Sequence, residues 1–205
     1  MDSIPAEGVP ETGEAWRAWS PGDLAGRLSA VSVPWCVAAG WALDLFRGEI
    51  TREHEDLEIA IPAAGFGEIR AALPELDFVV VGDGRIWPLD GPAYERQYQT
   101  WGRDPATGAW RLDVFREPHD AGTWICRRDD RIRRPYQEII LTAADGIPYL
   151  TPEVVLLFKA KHTRPKDEAD FAGTLPRLAD AQRDWLGWAM RRVHPGHPWL
   201  TAIES

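Results

Sequence analysis

At 205 residues, with 44% hydrophobic and 27% charged side chains, the chain is long enough for one well-buried core, or a core and a small appendage, and has the composition of a folded rather than a disordered protein. Its formal net charge of −9 disfavours a nucleic-acid backbone as partner and favours a small polycation. No apolar run approaches the ~20 residues of a membrane-spanning helix, and Asp2, Glu7, Glu11 and Glu14 replace the basic start of a secretion signal, so a cytoplasmic protein with no membrane partner is expected.

The first 20 or so residues, rich in Pro, Gly, Ala and Glu, show no period and predict a loose lead-in that ends at a helix start in SPGDLAGRL. VPWCVA (33–38) reads as a short buried strand. Gly40 breaks it, WALDLFR forms a helix of about two turns, and Gly48 stands where a left-handed residue would stop it. DLEIAI (56–61) alternates, with Leu57, Ile59 and Ile61 on one face and Asp56, Glu58 and Ala60 on the other, as a half-buried strand does. FGEIRAALPEL suits an amphipathic helix and DFVVVGDGRIWPL a hairpin turning at GDG. AYERQYQTWGRDPATGAWRLDVFRE suits a strand pair joined around DPATG.

From TPEVVLLFKAKH onward the pattern is helical. Thr151 is placed to cap, Pro152 occupies the first helical position, and Glu153 favours the positive end of the helix dipole. A second helix follows Pro165, and AQRDWLGWAMRRV makes a third with Trp185, Trp188 and Met190 toward one side. The expected fold class is α+β: a small mixed β-sheet with flanking helices over residues 1–148, lead-in included, followed by a helical C-terminal region over 149–205. Cys36 and Cys126 lie in no zinc-binding or redox spacing and are expected to be buried free thiols.

Side chains two apart on a strand point the same way, about 6.6 Å apart at their stems, so Asp56 and Glu58 can converge on one or two divalent cations. WRLDVF (110–115) is a second strand-like run with Asp113 at its centre. Three carboxylates on neighbouring strands make a hard-oxygen site suited to Mg²⁺, which keeps several waters and is completed by substrate phosphates. A bare acid–apolar–acid run on its own is more often a solvated strand face; the surrounding order of motifs changes that balance.

AGWALDLFRGEITREHEDLEIAI (39–61) resembles the signature of the polymerase-β-like nucleotidyltransferase superfamily, a GG or GS pair followed, after a helix, by alternating acids and apolar residues. Within it the run is similar to the aminoglycoside 2″-adenylyltransferase-like group, where a GGWA helix, a TRxH segment and an acid-rich strand occur with this spacing. The likeness continues through RLDVF and LLFKAKHTRPKDEAD (156–170), which is similar to a Lys…Arg-x-Lys/Arg-Asp-xx-Asp helix pair of antibiotic-modifying and toxin-type relatives. The resemblance implies a nucleotidyltransferase-type sheet, with Asp56, Glu58 and Asp113 as metal ligands and catalytic acids and Asp113 also placed to accept a proton. It implies that Gly40 lets the backbone approach the phosphates of ATP or another nucleoside triphosphate, and that Lys159 reaches a phosphate. Two Mg²⁺ ions are implied as cofactors. The chain departs from the pattern at Ala39, where the first glycine stands, and at Glu58, where Asp is more frequent.

Arg52 and His54 could contact phosphate or acceptor, or pair with Glu53 and Glu55 in a solvated loop. His119, His162, His194 and His197 lack ligand spacing. CRRDDRIRRP (126–135) reads as an exposed charged strand or turn rather than a nucleic-acid patch, although toxin-type relatives keep an RNA target open. Trp87, Trp101, Trp110 and Trp124 are core candidates, one or two of which could line an acceptor pocket. The expected function is transfer of a nucleoside monophosphate, AMP from ATP, to a hydroxyl of a small molecule such as an aminoglycoside-like cation. The alternatives are a toxin-type transferase acting on RNA or protein, and a catalytically degenerate nucleotide-binding protein.

Overall fold

A computed structural model describes residues 4, 7–11 and 15–205. Its elements, in chain order, are β1 (Val9–Pro10), α1 (Pro21–Arg27), β2 (Cys36–Val37), α2 (Ala39–Arg47), β3 (Glu58–Pro62), α3 (Phe66–Ala72), β4 (Asp77–Gly82), β5 (Arg85–Pro88), β6 (Gln99–Arg103) and β7 (Trp110–Glu117). There follow β8 (His119–Asp120), β9 (Thr123–Ile125), β10 (Arg133–Pro135), α4 (Tyr136–Ile139), β11 (Ile140–Thr142), β12 (Pro148–Leu150), α5 (Pro152–Lys159), α6 (Pro165–Thr174), α7 (Asp180–Val193) and α8 (Trp199–Ile203). The fold is mixed α and β, as expected. The chain divides into two compact units, 1–35 with 54–118 and 36–53 with 119–205, so the boundary expected near 148 lies inside the second.

In the first unit the strands run in the order β1–β5–β4–β6–β7–β3, with β3 parallel to β7 and the other neighbours antiparallel. The alternation read in 56–61 is carried through. Leu57, Ile59 and Ile61, with Leu112 and Val114 of β7, are completely buried on one face. There Phe66 of α3 packs edge-to-face on Phe78 of β4, 5.4 Å between rings. A Cβ on Gly102 would lie 2.8 Å from Leu76 and 2.9 Å from Phe78, so this close approach needs glycine. β4 and β5 join through Asp83 and Gly84, both at positive φ (49° and 69°), the left-handed pair that a two-residue hairpin turn demands. α1 starts as SPGD predicts: Ser20 Oγ accepts from the Asp23 amide at 3.1 Å while the Asp23 carboxylate accepts from the Ser20 amide at 3.2 Å.

The lead-in, where described, is not loose. Val9–Pro10 pairs with β5, and Trp16 bridges to Trp110 and meets Trp101 edge-to-face at 5.1 Å. Burial of Val9 and Trp16 against Val79, Val81, Ile86, Trp101 and Trp110 draws this segment in. Parts of the expected lead-in (1–3, 5–6, 12–14) lie outside the described residues.

In the second unit β12 pairs antiparallel with β11 and parallel with β2, and β8, β9 and β10 form a separate small meander. α2 ends at Gly48, at φ 72° with its amide on the Asp44 carbonyl, the predicted left-handed stop. Thr151 is the residue before α5 and Pro152 its first residue, but the Thr151 hydroxyl makes no cap to the helix amides; it donates to the Glu153 carboxylate instead. α7 buries Leu186, Ala189 and Met190 and leaves Trp188 41% exposed, so the expected Trp188–Met190 side is split between core and surface. α8 brings Trp199 flat onto Phe171 of α6, 4.2 Å apart. Both cysteines are free and buried.

Candidate active site

β3 and β7 lie side by side with Glu58 directly opposite Asp113, and the Asp113 amide donates to the Leu57 carbonyl at 2.8 Å. On β7's other side Trp101 of β6 is the register partner of Asp113. Because cross-strand partners share a face, Glu58, Asp113 and Trp101 form one row across three strands. Asp56 and Glu58 are half-buried, whereas Asp113 is only 3% exposed. Burial pushes the Asp113 carboxyl well above the usual carboxylate range, and the negative charges of Glu58 and Asp56 push it further. Gln99, at the start of β6, opposes this by donating its side-chain amide to Asp113 Oδ2. Trp101 favours the ionised form from nearby, although its indole N–H completes no hydrogen bond. Asp113 Oδ1 is buried with no hydrogen-bond partner.

Gln99 was not singled out by sequence reasoning. The available signal is parity: in QTWGR it stands two residues before Trp101 and therefore on the same face.

The other predicted residues belong to the second unit. Gly40 is buried near the start of α2, just after Ala39, whose φ of 47° is the left-handed conformation that glycine adopts without strain. Lys159, at the end of α5, is 2.7 Å from Asp167 and 3.0 Å from Asp170 of α6, with only 8% of its side chain exposed. The side chain expected to reach a phosphate is thus engaged by two carboxylates. Burial raises the Asp167 carboxyl, but the bonds from Arg164 and Lys159 outweigh it and hold the group well below the ordinary range. Arg52 donates to the Glu53 carbonyl at 3.0 Å and lies 3.4 Å from Asp170. Arg47 joins the same cluster, donating to the Asp170 carbonyl (2.6 Å), Thr174 (2.7 Å) and Thr51 (3.0 Å), while Thr51 donates to buried Asp44 at 2.6 Å.

The remaining candidates are packed or engaged within their own units. Trp87, Trp101, Trp110 and Trp124 are all buried. In the 126–135 cluster Arg127 and Arg128 lie over Phe158, Arg128 donates to the Leu157 and Phe158 carbonyls, Arg131 grips Asp129, and Arg134 grips buried Glu153 at 2.7 Å. Burial, then Arg128, lowers the proton affinity of His194. Among the described residues no helix is long and apolar enough to cross a membrane.

Residues 23–97 match the family model described as aminoglycoside-2″-adenylyltransferase. Solved structures with the same fold include the antibiotic-resistance factor ANT(2″)-Ia in solution (16% identity, TM-score 0.54, covering 83% of this chain and 89% of that one). They also include ANT(2″)-Ia in complex with adenylyl-2″-tobramycin (16%, 0.56, 83% and 95%). A lincosamide antibiotic adenylyltransferase, LnuA, with lincomycin bound, is similar at 18% identity and TM-score 0.52, over 74% of this chain and 91% of that one. No curated protein matches the chain. The chain thus shares its fold with these adenylyltransferases, and its residues 23–97 are similar to the aminoglycoside-2″-adenylyltransferase family.

Such a fold implies a divalent cation, and the donor chemistry here fits one. Asp113 Oδ1 is an orphaned buried oxygen, and a cation would offset the like charges of Glu58 and Asp56 beside it. Among the described residues no three His, Cys, Asp or Glu side chains are already drawn together into a coordination shell. The backbone register sets Glu58 directly opposite Asp113.

Proposed function

We propose that the chain is an Mg²⁺-dependent adenylyltransferase that moves AMP from ATP to a hydroxyl of a small, cationic, hydroxyl-rich acceptor. The observation that carries this reading is Asp113, a buried carboxylate with one bare oxygen, directly opposite Glu58 and within the field of Asp56. Scaffold acids are normally paired when buried; an unpaired one at the centre of an acidic row points to a charged ligand.

Asp56, Glu58 and Asp113 would hold the metal. Two bound Mg²⁺ ions would neutralise charge on the triphosphate and acidify the attacking hydroxyl. The acceptor oxygen attacks the α-phosphorus in line, its proton passes to solvent water and pyrophosphate leaves, while Asp113, with Oδ2 held by Gln99 and Oδ1 left for the cation, acts as a ligand. We assign Gly40 and Arg52 to nucleotide binding on the strength of the motif they stand in. Lys159 reaches a phosphate only by giving up Asp167 or Asp170, and we assign it to holding α5 to α6.

The acceptor class is supported by the net charge of −9, which attracts cations, and by the aminoglycoside and lincosamide ligands of the similar structures. An RNA target is disfavoured because the arginines of 127–134 are engaged within their own unit. The test is incubation with α-labelled ATP, Mg²⁺ and a panel of aminoglycosides and lincosamides, followed by mass analysis. A small-molecule product heavier by one AMP, with release of pyrophosphate, is expected. Label fixed on RNA or protein, or ATP binding with no release across the panel, contradicts the proposal.

A further inference from the structure

We propose that Gln99 is a positioning residue for the carboxylate row: its side-chain amide holds Asp113 Oδ2 and so reserves Oδ1 as a single-oxygen ligand for a divalent cation. This inference rests on the metal-dependent reading above and extends it to a residue outside the acid motif.

Asp113 has two oxygens and they are treated differently. Oδ2 accepts from the Gln99 amide, while Oδ1 is buried and bare. An ionised carboxylate only accepts, so the Gln99 NH₂ rather than its carbonyl faces it. With one oxygen tied, the carboxylate cannot rotate to share both oxygens with a cation. Mg²⁺ suits such an arrangement, since it takes single oxygens from one or two carboxylates and keeps water at its other positions.

Gln99 is itself held. Arg116, 4% exposed, clamps the turn that leads into β6: its guanidinium lies 3.7 Å from the Tyr94 ring centre and donates to the Tyr94 carbonyl at 2.9 Å and the Gln97 carbonyl at 2.6 Å. Its backbone amide takes the Tyr98 carbonyl at 2.7 Å, immediately before Gln99. On the far side Trp101 is wedged edge-to-face between Trp16 (5.1 Å) and Trp110 (5.2 Å), which fixes the indole beside Asp113. The amide is therefore delivered from a rigid element, as a partner that orients a metal ligand must be.

Tb³⁺ luminescence excited through tryptophan reads the site without turnover, because Trp101 adjoins Asp113. Titration with Tb³⁺ and competition with Mg²⁺ are made on the full chain and on Gln99→Met, Gln99→Asn, Gln97→Met and Asp113→Asn, with melting temperatures alongside. Gln99→Met should weaken Tb³⁺ and Mg²⁺ binding by about 10–100-fold with little change in melting temperature, and lower kcat at fixed Mg²⁺ more than it raises KM for nucleotide. Gln99→Asn, too short to reach Oδ2, should act in the same direction and covers the case in which the Met variant fails to fold. Gln97→Met, whose amide bonds to Asp83 instead, should bind as the parent does. Unchanged affinity in both Gln99 variants, with Asp113→Asn still abolishing the signal, overturns the role of Gln99 alone. If Asp113→Asn binds like the parent, the metal reading itself fails and takes this inference with it.

Discussion

Asp113 of the first unit and the buried acids Asp44, Glu153, Asp167 and Asp170 of the second follow opposite rules. In the second, Asp167 and Asp170 share Lys159, Asp44 takes Thr51 with Arg47 alongside, and Glu153 takes Arg134, Thr151 and Gln182. In the first, Asp113 is buried among like charges, its proton affinity is driven up, and one oxygen has no partner. Satisfied acids hold helices together; an unsatisfied one stores a demand that a ligand can meet. The same residue type therefore reports structure in one unit and chemistry in the other, and the difference lies in the partners.

Neutralising an acid on each side separates the two rules. Asp113→Asn should reduce adenylyl transfer to background while leaving the chain folded, because the removed charge was one the fold had to tolerate. Lys159→Met should do the reverse: two carboxylates lose their cation in a buried site, at a cost of about 3–5 kcal/mol, seen as a lower midpoint in urea. A loss below about 1 kcal/mol there would show that the pair is solvent-relaxed.

Smaller effects sharpen the contrast. Asp113→Asn should raise the melting temperature by about 2–4 °C, the equivalent of about 1 kcal/mol, as expected when a functional site is relieved of a buried unpaired charge. Ala39→Gly should stabilise by up to about 1 kcal/mol, since Ala39 adopts φ 47°, a left-handed conformation that favours glycine; a loss instead would mean that the unfolded-state entropy of glycine outweighs the strain.

The pH responses are expected to be the smallest. Asp167 is depressed from an ordinary value of 3.8, so its contribution is complete above that value and is lost as pH falls below it. In Lys159→Met that acid loss should be smaller, because a cation that depresses the group is gone. His194 is depressed from 6.5, so the second unit should lose stability as pH falls below about 6.5, and His194→Gln should flatten that slope in melting curves.

Much of the first unit was legible because its strands are long enough to show a period. Leu57–Ile61 and Trp110–Phe115 reveal both the buried face and the row that carries Glu58 and Asp113. The β8–β10 meander, α4 and β11 were not, since elements of two to four residues complete no period. The β1 pairing was missed for the same reason, and Trp16 acts through a contact with Trp101 and Trp110 that no local pattern reports. Lys159 was read by motif as a phosphate contact, and its engagement with Asp167 and Asp170 depends on how α5 meets α6. Arg47 and Asp170 meet across more than a hundred residues of chain, beyond any spacing rule. Gln99 lay within reach of parity, yet an amide on a strand carries no chemical flag until its carboxylate partner is known.

The central claim is that the bare oxygen of Asp113, with Glu58 opposite it, is a metal ligand. Crystals soaked with MnCl₂ and a non-hydrolysable ATP analogue, measured at the manganese absorption edge, test it directly. An anomalous peak in bonding contact with Asp113 Oδ1 and a carboxylate oxygen of Glu58 is the predicted result. Bound nucleotide with no peak at Asp113, or a peak held by other side chains, would contradict it.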